Sequence, residues 1–493
     1  MMKMKKLAAI LLAGLLTVGL LAGCGGGNTP ASTSAHPEST KAPDVTPEST
    51  AAPAKETNFK VPAGGYDGSA VTIRFYHNMS QDKQDLLKEY IDEFNKTYPN
   101  ITVDFTSTVL GSYDDIRDQI KTEINVGSQP NIAYCYPDHV ALYNMAKATV
   151  QLDSLIASTE SDGAGGQLGL TEAQINDFIG GYYTAGASFG DGLMYTMPFS
   201  KSTEVLYYNK TFFDANGLTV PTTWDEMKTL CEKIKQIDPN CIPLGYDSES
   251  NWFITMCEQY KSPYTSATGE HYLFNNETNR AFVKEFNDWY NKGYLTTQGL
   301  YGAYTSGLFV TDKDPHSYMS IGSSAGATYQ RPAKGDDGKY PFEVGISMIP
   351  QIDTAAPKVI SQGPDVCIFM KSNPQEVIAS WLLVKFLTTN PDFQAEFAAS
   401  SGYVPVLKSA KDNAVYAEKL SKADGYDNIA FLSAKVCLEQ ADAYYVSPAF
   451  NGSSTARDQV AALMKKCLVL TSDIDNQIEA AFEEAVDECE YSE

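Results

Sequence analysis

The stretch Val71-Thr72-Ile73-Arg74-Phe75 alternates apolar and polar side chains, which predicts a half-buried β-strand. Outward from it, residues 86–94 repeat apolar side chains with helical period, and residues 101–105 alternate again. Residues 116–124 carry isoleucines on one helical face, and residues 132–136 form another strand-like run. The order βαβαβ predicts a mainly parallel sheet with right-handed crossovers.

The ends of these strands indicate where a ligand would bind. Ligands of such sheets lie beyond the carboxyl ends of the strands. Those ends are His77-Asn78, Gly111-Ser112-Tyr113 and Tyr136-Pro137-Asp138. We therefore take Tyr113, Tyr136 and Asp138 as candidate binding residues.

A second α/β unit follows in the sequence. It begins with the strand-like residues 205–209, and residues 223–226 form a capping box before an apolar helical stripe. Strand-like stretches follow at 318–321, 344–348 and 366–370, and no segment repeats at a fixed period. Two α/β lobes with interleaved segments are the expected architecture.

The charge of the chain excludes some partners. The net charge is -24, with 61 acidic against 37 basic residues. Such a field argues against nucleic acid or an anionic membrane surface as partner, and an anionic solute would need a locally positive pocket. Roughly 430 residues follow the N-terminal segments, more than one hydrophobic core supports, so two lobes are expected.

The N-terminus predicts export and anchoring. Three lysines precede the apolar run 7–22, which ends at Cys24 in the pattern of a lipobox. The alternative interpretation is a retained transmembrane helix. The run is shorter than the span of about 20 residues that such a helix needs. We predict a signal peptide at 1–23, lipidation of Cys24, and a disordered tether over 24–65 rich in Ser, Thr, Ala and Pro.

Cysteine and histidine spacing gives no sign of a metal site or a cofactor. The eight cysteines beyond Cys24 form no C-x-x-C pair, and Cys231 with Cys241 is the shortest candidate disulfide loop. None of the five histidines sits at metal-ligand spacing. The chain contains no G-x-S-x-G and no H-E-x-x-H motif. We predict a protein that is not an enzyme, although a carboxylate pair for a secreted glycosidase is an open alternative.

Residues 198–210 resemble the hinge-crossing motif of family 1 extracellular solute-binding proteins, and residues 217–226 and 389–406 resemble later motifs of that family. The resemblance implies a two-lobed α/β fold of the type II periplasmic-binding-protein class. Its lobes are joined by three hinge crossings, with the ligand cleft between them. We expect lobe one to contain 66–200 and 363–404, lobe two 205–360 and 408–493, and hinges near 200–205, 360–363 and 403–407.

Within the family, the chain is most similar to the glycerol-3-phosphate-binding branch, through patterns at 111–113, 200–203, 322–326, 361–363 and 452–457. By this resemblance, the ligand contacts would be Tyr113, Ser202, Ser324 or its neighbour Ser323, Gly363, Tyr403 and Arg457. The chain departs from the pattern of this branch after its third strand. The branch has a carboxylate directly after the aromatic residue of strand three, whereas here Pro137 follows Tyr136 and Asp138 comes one place late.

The chemistry of these residues supports a binding site independently. A guanidinium such as that of Arg457 can hold phosphate or carboxylate in a forked geometry. Small residues at 322–326 and 452–455 precede helices whose free N–H groups can face an anion, although each could be an ordinary helix start. Aromatic walls suit a cleft that binds sugars, and our candidates are Tyr113, Tyr136, Trp252 and Tyr403.

The predicted function is that of a substrate-binding lipoprotein on the outer face of the cell membrane. It would capture a carbohydrate or polyol, with glycerol 3-phosphate as the best single candidate, and deliver it to the permease subunits of an ABC transporter. A neutral sugar or oligosaccharide is the alternative solute. The sequence predicts a monomer that has no cofactor, binds no nucleic acid, and touches the membrane only through its lipid.

Overall fold

The computed structural model describes residues 56–491, so the predicted signal peptide and Cys24 lie outside the described residues. The predicted tether reaches residue 65, but its last part is packed on the fold. The Phe59 side chain is buried, and the Asn58 backbone N–H donates to Oε1 of Gln151 at 2.7 Å. Because the apolar side chain of Phe59 is buried in the core, the tether ends earlier than the composition of residues 24–65 indicates.

The described residues contain twelve strands. They are β1 Val71–Tyr76, β2 Ile101–Asp104, β3 Ile132–Cys135, β4 Thr196–Pro198, β5 Ser202–Asn209, β6 Leu244–Tyr246, β7 Leu295–Thr297, β8 Met319–Ser323, β9 Val344–Ser347, β10 Val359–Gln362, β11 Asp365–Ile368 and β12 Tyr444–Tyr445.

Eighteen α-helices and three short 3₁₀ helices complete the described part of the chain. The α-helices are α1 Gln81–Thr97, α2 Tyr113–Ile124, α3 Pro137–Met145, α4 Asp153–Ile156, α5 Glu172–Asp177, α6 Gly180–Ala185, α7 Lys210–Asn216, α8 Trp224–Ile237, α9 Glu249–Gln259, α10 Glu277–Asn291, α11 Gln298–Tyr301, α12 Ser306–Phe309, α13 Pro374–Thr388, α14 Pro391–Ser401, α15 Ala414–Ser421, α16 Ile429–Glu439, α17 Ser453–Leu468 and α18 Ile474–Tyr491. The 3₁₀ helices are Ser324–Gln330, Lys408–Asp412 and Ala441–Ala443.

The first sheet has the strand order β2-β1-β3-β11-β4. Strand β1 is parallel to both β2 and β3, which confirms the predicted βαβαβ unit. Strand β11 pairs antiparallel with β3 and with β4, so it alone runs against the other four strands, and the sheet is mainly parallel in direction as predicted. Strand β11 belongs to a later segment of the chain, which enters the sheet between β3 and β4.

The second sheet has the order β12-β10-β5-β8-β6-β7, with β9 also paired to β5. Strand β5 is antiparallel to β8, β9 and β10 and is the centre of the sheet. Helix α8 begins with the predicted capping box, in which the Thr223 hydroxyl accepts from the Glu226 N–H. With helices packed around both sheets, the chain has the predicted two-lobed α/β fold.

Two further expectations concern cysteines and the membrane. All eight cysteines in residues 56–491 are buried, and Cys231 and Cys241 are not joined by a disulfide. Among the helices of this part of the chain, none is long and apolar enough to cross a bilayer.

Three chain segments meet at Lys201. Its backbone N–H donates to the Val404 carbonyl at 3.2 Å, and its carbonyl accepts from the Val404 N–H at 2.6 Å. Gly363 lies against the same point with φ of +87°, and a Cβ there would lie 2.5 Å from the Ser200 carbonyl oxygen. A glycine is therefore required where the second segment passes the first.

A buried ion pair joins two of these segments. Lys201 Nζ lies 2.5 Å from Asp365 Oδ1, and the two side chains are only 4% and 1% exposed. Thr196 Oγ1 also donates to the Asp365 carboxylate, at 3.3 Å. Removing one partner of such a pair leaves an uncompensated buried charge, which is strongly destabilising.

Lys201→Met should therefore lower the free energy of unfolding by roughly 3 to 5 kcal/mol, measured by urea denaturation. The double variant Lys201→Met with Asp365→Leu should recover most of that loss, because neither charge remains. A matched substitution at the exposed Lys88, whose ion pair with Asp92 is solvated, should cost about 1 kcal/mol or less. If substitution of Lys201 and of Lys88 lowered the free energy of unfolding equally, the Lys201–Asp365 ion pair would not be a buried, structurally important contact.

Candidate functional site

A cavity of about 240 Å³ lies between the two sheets. Helix α3 of the first lobe contacts α17 of the second across it. The residues that line the cavity come from the ends of strands, from the crossing segments and from the loop before α17. They are Tyr136, Pro137, Asp138, Lys201, Tyr264, Ile360, Ser361, Gln362, Gly363, Val446, Ser447, Pro448, Ala449, Ser453 and Arg457.

Four predicted site residues line the cavity: Tyr136, Asp138, Gly363 and Arg457. Tyr136 ends the third strand run, and Pro137 occupies the first position of α3. A proline fits this position, because its missing N–H would have no partner inside the helix. The first turn of α3 then carries Asp138 to the cavity wall, although it stands one place later than in the related branch.

Two other predicted tyrosines lie behind this wall. The Tyr113 and Tyr136 ring centroids are 4.8 Å apart, and the Tyr113 and Tyr403 hydroxyl oxygens are 3.4 Å apart. The Lys83 ammonium lies 5.4 Å from the Tyr403 ring centroid. Burial raises the pKa of Tyr113 well above its usual value, so its hydroxyl stays protonated. The three rings form one aromatic cluster whose Tyr136 faces the cavity.

Arg457 is held by a chain of side chains that leads into the core of the second lobe. Its Nη2 donates to Asn251 Oδ1 at 2.5 Å, and Asn251 Nδ2 donates to Glu204 Oε1 at 3.2 Å. Tyr246 Oη donates to the other Glu204 oxygen at 2.7 Å. Glu204 and Asn251 are buried, whereas Arg457 is half-buried at the cavity. We name this set the arginine relay.

The arginine relay fixes which way the Asn251 amide faces. The guanidinium of Arg457 can only donate hydrogen bonds, so Asn251 must turn its carbonyl oxygen toward Arg457 and its NH₂ group toward Glu204. That carbonyl oxygen orients the guanidinium without cancelling its charge. Burial raises the pKa of Glu204 to about 7, and the hydrogen bonds from Tyr246 and Asn251 limit that rise.

The guanidinium also lies near two tyrosines of the cavity wall. Burial raises the pKa of Tyr136 and of Tyr264, and the positive charge of Arg457 opposes the shift in both. The other cation at the cavity is Lys201, whose charge is neutralised by Asp365. Arg457 is thus the cation whose charge is available to a ligand.

The structure places the predicted serines away from the cavity lining. The Ser324 hydroxyl accepts from the Thr203 N–H at 3.1 Å, and the Ser323 hydroxyl caps the following 3₁₀ helix through the Ala325 N–H. Ser202 is buried in β5 and pairs with Gln362 of β10. The hydroxyls of Ser323 and Ser324 thus satisfy backbone N–H groups beside β5.

Trp252 requires a correction, since it is not a wall of the cavity. Its indole is fully buried, stacked on the Tyr246 ring at 4.8 Å between centroids, with the tilted Phe286 ring at 4.2 Å. Trp224, Trp289 and Trp381 are buried as well. The face of α9 that packs on the core carries Trp252, and its neighbour Asn251 reaches toward Arg457 instead.

Several lining residues were missed by sequence reasoning. Tyr264 lies in an irregular loop, and Val446–Ala449 lies in another, where no periodicity indicates a site. Ser361 could have been found, because it stands two residues before Gly363 in a crossing segment. Lys201 lies within the hinge-crossing motif at 198–210, but its ion-pair partner Asp365 is distant in sequence, so the pair was not predicted.

The family described as bacterial extracellular solute-binding protein matches residues 89–423. One relative, the sn-glycerol-3-phosphate-binding periplasmic protein UgpB of Salmonella typhimurium (strain LT2), is 23% identical over 375 residues, which cover 73% of this chain and 78% of that protein.

Two solved structures share the fold. UgpB from Mycobacterium tuberculosis in complex with glycerophosphocholine has a TM-score of 0.68 and 17% identity, covering 86% of this chain and 99% of that one. The cyclic alpha-maltosyl-1,6-maltose binding protein from Arthrobacter globiformis has a TM-score of 0.65 and 18% identity, covering 86% and 100%.

The raised pKa of Glu204 predicts a pH-dependent stability. Its carboxyl group keeps its proton in the folded state up to about pH 7, whereas the unfolded chain releases it near pH 4.5. The free energy of unfolding should therefore fall as pH rises through this window, by about 3 kcal/mol from this group. Glu204→Gln removes the titration, so the stability of the variant relative to wild type should increase between pH 5 and pH 8.

Urea denaturation at both pH values measures this difference. Glu270→Gln, at an exposed position, is the control for replacing a glutamate by glutamine. Because the comparison uses the change with pH, a constant loss from the altered hydrogen bonds in Glu204→Gln does not affect it. Parallel pH profiles for wild type and Glu204→Gln would show that Glu204 does not titrate in this window.

Proposed function

Because the chain belongs to the bacterial extracellular solute-binding protein family, we propose that it captures a phosphorylated polyol, with glycerol 3-phosphate as the best single candidate. The chain is a solute-binding protein and not an enzyme. In the proposed role, it delivers its ligand to the permease of an ABC importer. The observation that carries the choice of ligand is the charge of Arg457 in the cavity.

The environment of Arg457 favours an anionic group. Within residues 56–491, no carboxylate lies within ion-pair distance of the guanidinium, which instead donates a hydrogen bond to the neutral amide of Asn251 at 2.5 Å. A half-buried cation without a counter-charge is costly, and a phosphate supplies both the charge and the acceptor oxygens. The forked geometry of the guanidinium matches two oxygens of such a group.

The other walls suit the polyol part of the ligand. Asp138 can accept hydrogen bonds from hydroxyl groups, and Tyr136 presents a ring and a protonated hydroxyl beside it. The names of two relatives support a phosphate ligand, since one UgpB is named for sn-glycerol 3-phosphate and the other is in complex with glycerophosphocholine. Binding of glycerol 3-phosphate by this chain rests on the cavity and on those names together.

A neutral sugar or oligosaccharide is the second candidate. Tyr136 and Tyr264 offer ring faces for stacking, and Asp138 offers an acceptor for sugar hydroxyls. The Arthrobacter protein of similar fold is named for a maltose-derived oligosaccharide. In this case Arg457 would donate only ordinary hydrogen bonds to the ligand.

The proposed mechanism is closure of the two lobes around the solute. We propose lobe boundaries at 66–200 with 363–404 and at 205–360 with 408–493, with hinges near 200–205, 360–363 and 403–407. The meeting of the three segments at Lys201 supports these hinges. We further propose that the protein acts as a monomer held to the outer face of the cell membrane by lipidated Cys24.

Arg457→Ala should lower the affinity for glycerol 3-phosphate by about thirty-fold or more, measured by isothermal calorimetry. Truncating one member of a desolvated charge pair costs roughly 2 to 5 kcal/mol, which corresponds to that loss. A neutral sugar should lose much less, because an ordinary hydrogen bond contributes about 1 kcal/mol.

Arg280→Ala is the matched control. Arg280 lies on α10 and hydrogen-bonds Asn275 away from the cavity lining, so its loss should leave both affinities unchanged. If the wild type binds a neutral oligosaccharide at micromolar strength and no phosphorylated ligand, the phosphate proposal is wrong and the second candidate stands.

Cys24→Ala should release the protein from the membrane fraction into the medium. A single acyl chain binds a bilayer only marginally, so stable anchoring depends on the two or more chains that a lipidated cysteine carries. Cell fractionation with quantitative blotting measures the partition, and Cys135→Ala, a buried thiol of the core, controls for loss of any cysteine. Unchanged membrane attachment of Cys24→Ala would refute lipidation at this residue.

A further inference from the structure

Three hydroxyl groups at the cavity have no hydrogen-bond partner within residues 56–491. They are Tyr264 Oη, Ser361 Oγ and Ser447 Oγ, and all three oxygens are buried. A buried hydroxyl without a partner costs about 1 to 3 kcal/mol, so such groups are usually paired. Their residues come from three separate segments, which are the loop after α9, strand β10 and the loop before α17.

These three hydroxyls differ from other unpaired buried hydroxyls because they line the same cavity. Unpaired buried hydroxyls also occur elsewhere in the described part of the chain, for example at Tyr143 and Ser317. Those two do not line the cavity. Three independent segments that place unpaired hydroxyls on the same cavity, next to Arg457, indicate recognition of something outside the protein.

We propose that Tyr264, Ser361 and Ser447 are specificity-determining residues that bind the hydroxyl groups of the ligand. The proposal rests on the proposed function, to which it adds how the polyol part is recognised. The family resemblance assigned none of these three residues to ligand contact. With these three residues, the ligand hydroxyls are recognised by the second lobe and by a crossing segment, in addition to Asp138 on the first lobe.

The chemistry of the groups favours ligand hydroxyls over the phosphate. A phosphate dianion only accepts hydrogen bonds, and the guanidinium of Arg457 supplies donors for it. A serine or tyrosine hydroxyl both donates and accepts, and so does each hydroxyl of a polyol. Asp138 at the same cavity is an acceptor that a hydroxyl can use and a phosphate cannot.

The test removes the hydroxyls from the protein and from the ligand separately. Tyr264→Phe, Ser361→Ala and Ser447→Ala each delete one hydroxyl, and n-propyl phosphate has the carbon skeleton of glycerol 3-phosphate without its two hydroxyls. Calorimetry on the full-length protein compares both ligands for each variant. Tyr143→Phe and Ser317→Ala are the matched controls.

Wild type should bind n-propyl phosphate roughly ten-fold or more weakly than glycerol 3-phosphate, because the site is built to pair hydroxyls. Each of the three variants should lose about five-fold in affinity for glycerol 3-phosphate and bind n-propyl phosphate as wild type does. Both control variants should behave like wild type with both ligands.

Other outcomes overturn the proposal. An equal loss for both ligands would mean that the hydroxyls serve the phosphate, and no loss for glycerol 3-phosphate would mean that they touch no ligand. If wild type binds a neutral sugar but no phosphorylated ligand, the proposed function fails in its phosphate part. The same three variants measured with that sugar then decide the present inference, which stands if they lose affinity and falls if they do not. If the wild type binds neither a phosphorylated ligand nor a neutral sugar, both the proposed function and the role of the three hydroxyls are wrong.

Discussion

The contact between Lys201 and Asp365 holds together the place where the chain passes between the lobes. The two charges are 2.5 Å apart and almost fully buried, so each depends on the other for its stability. Lys201 belongs to the first crossing, Asp365 follows the second, and the backbone of Lys201 pairs with Val404 in the third. The side chain of Lys201 thus ties the first crossing to the second and its backbone ties the first to the third, so the three segments are held in register at this residue.

That register determines the cavity. Gly363 packs on Ser200 and Lys201 at a distance that excludes a side chain, and the Thr203 hydroxyl donates to the Ile360 carbonyl at 2.6 Å. The crossing segments are thereby fixed as one wall, to which the loops of both lobes are added. Because Asp365 neutralises Lys201, this wall contributes shape without net charge. The positive charge available to a ligand comes from Arg457, in a chain whose overall charge is -24.

The sequence predicts the fold well and the site only in part, for physical reasons. Local signals such as the alternation at 71–75 and the capping box at Thr223 depend on neighbouring residues, and the structure confirms both elements. The position of Trp252 depends instead on which face of α9 packs on the core, which periodicity alone does not decide. The partnership of Lys201 with Asp365 joins distant residues, so no local pattern contains it. Tyr264 and Ser447 reach the cavity from loops that have no period at all.

The unpaired groups of the cavity also bear on when the lobes close. In this structure the lobes touch, since α17 contacts α3 and a Cβ on Gly402 would lie 3.2 Å from the Ala325 carbonyl oxygen. Closure without a ligand buries the hydroxyls of Tyr264, Ser361 and Ser447 away from water, at about 1 to 3 kcal/mol for each unpaired group.

In an open form, water can hydrate the same groups and the guanidinium of Arg457. A ligand that pairs them removes the cost from the closed form alone, and every 1.4 kcal/mol of such differential binding shifts the equilibrium about tenfold toward closure. The polar groups that select the ligand would then be the same groups that make closure depend on it.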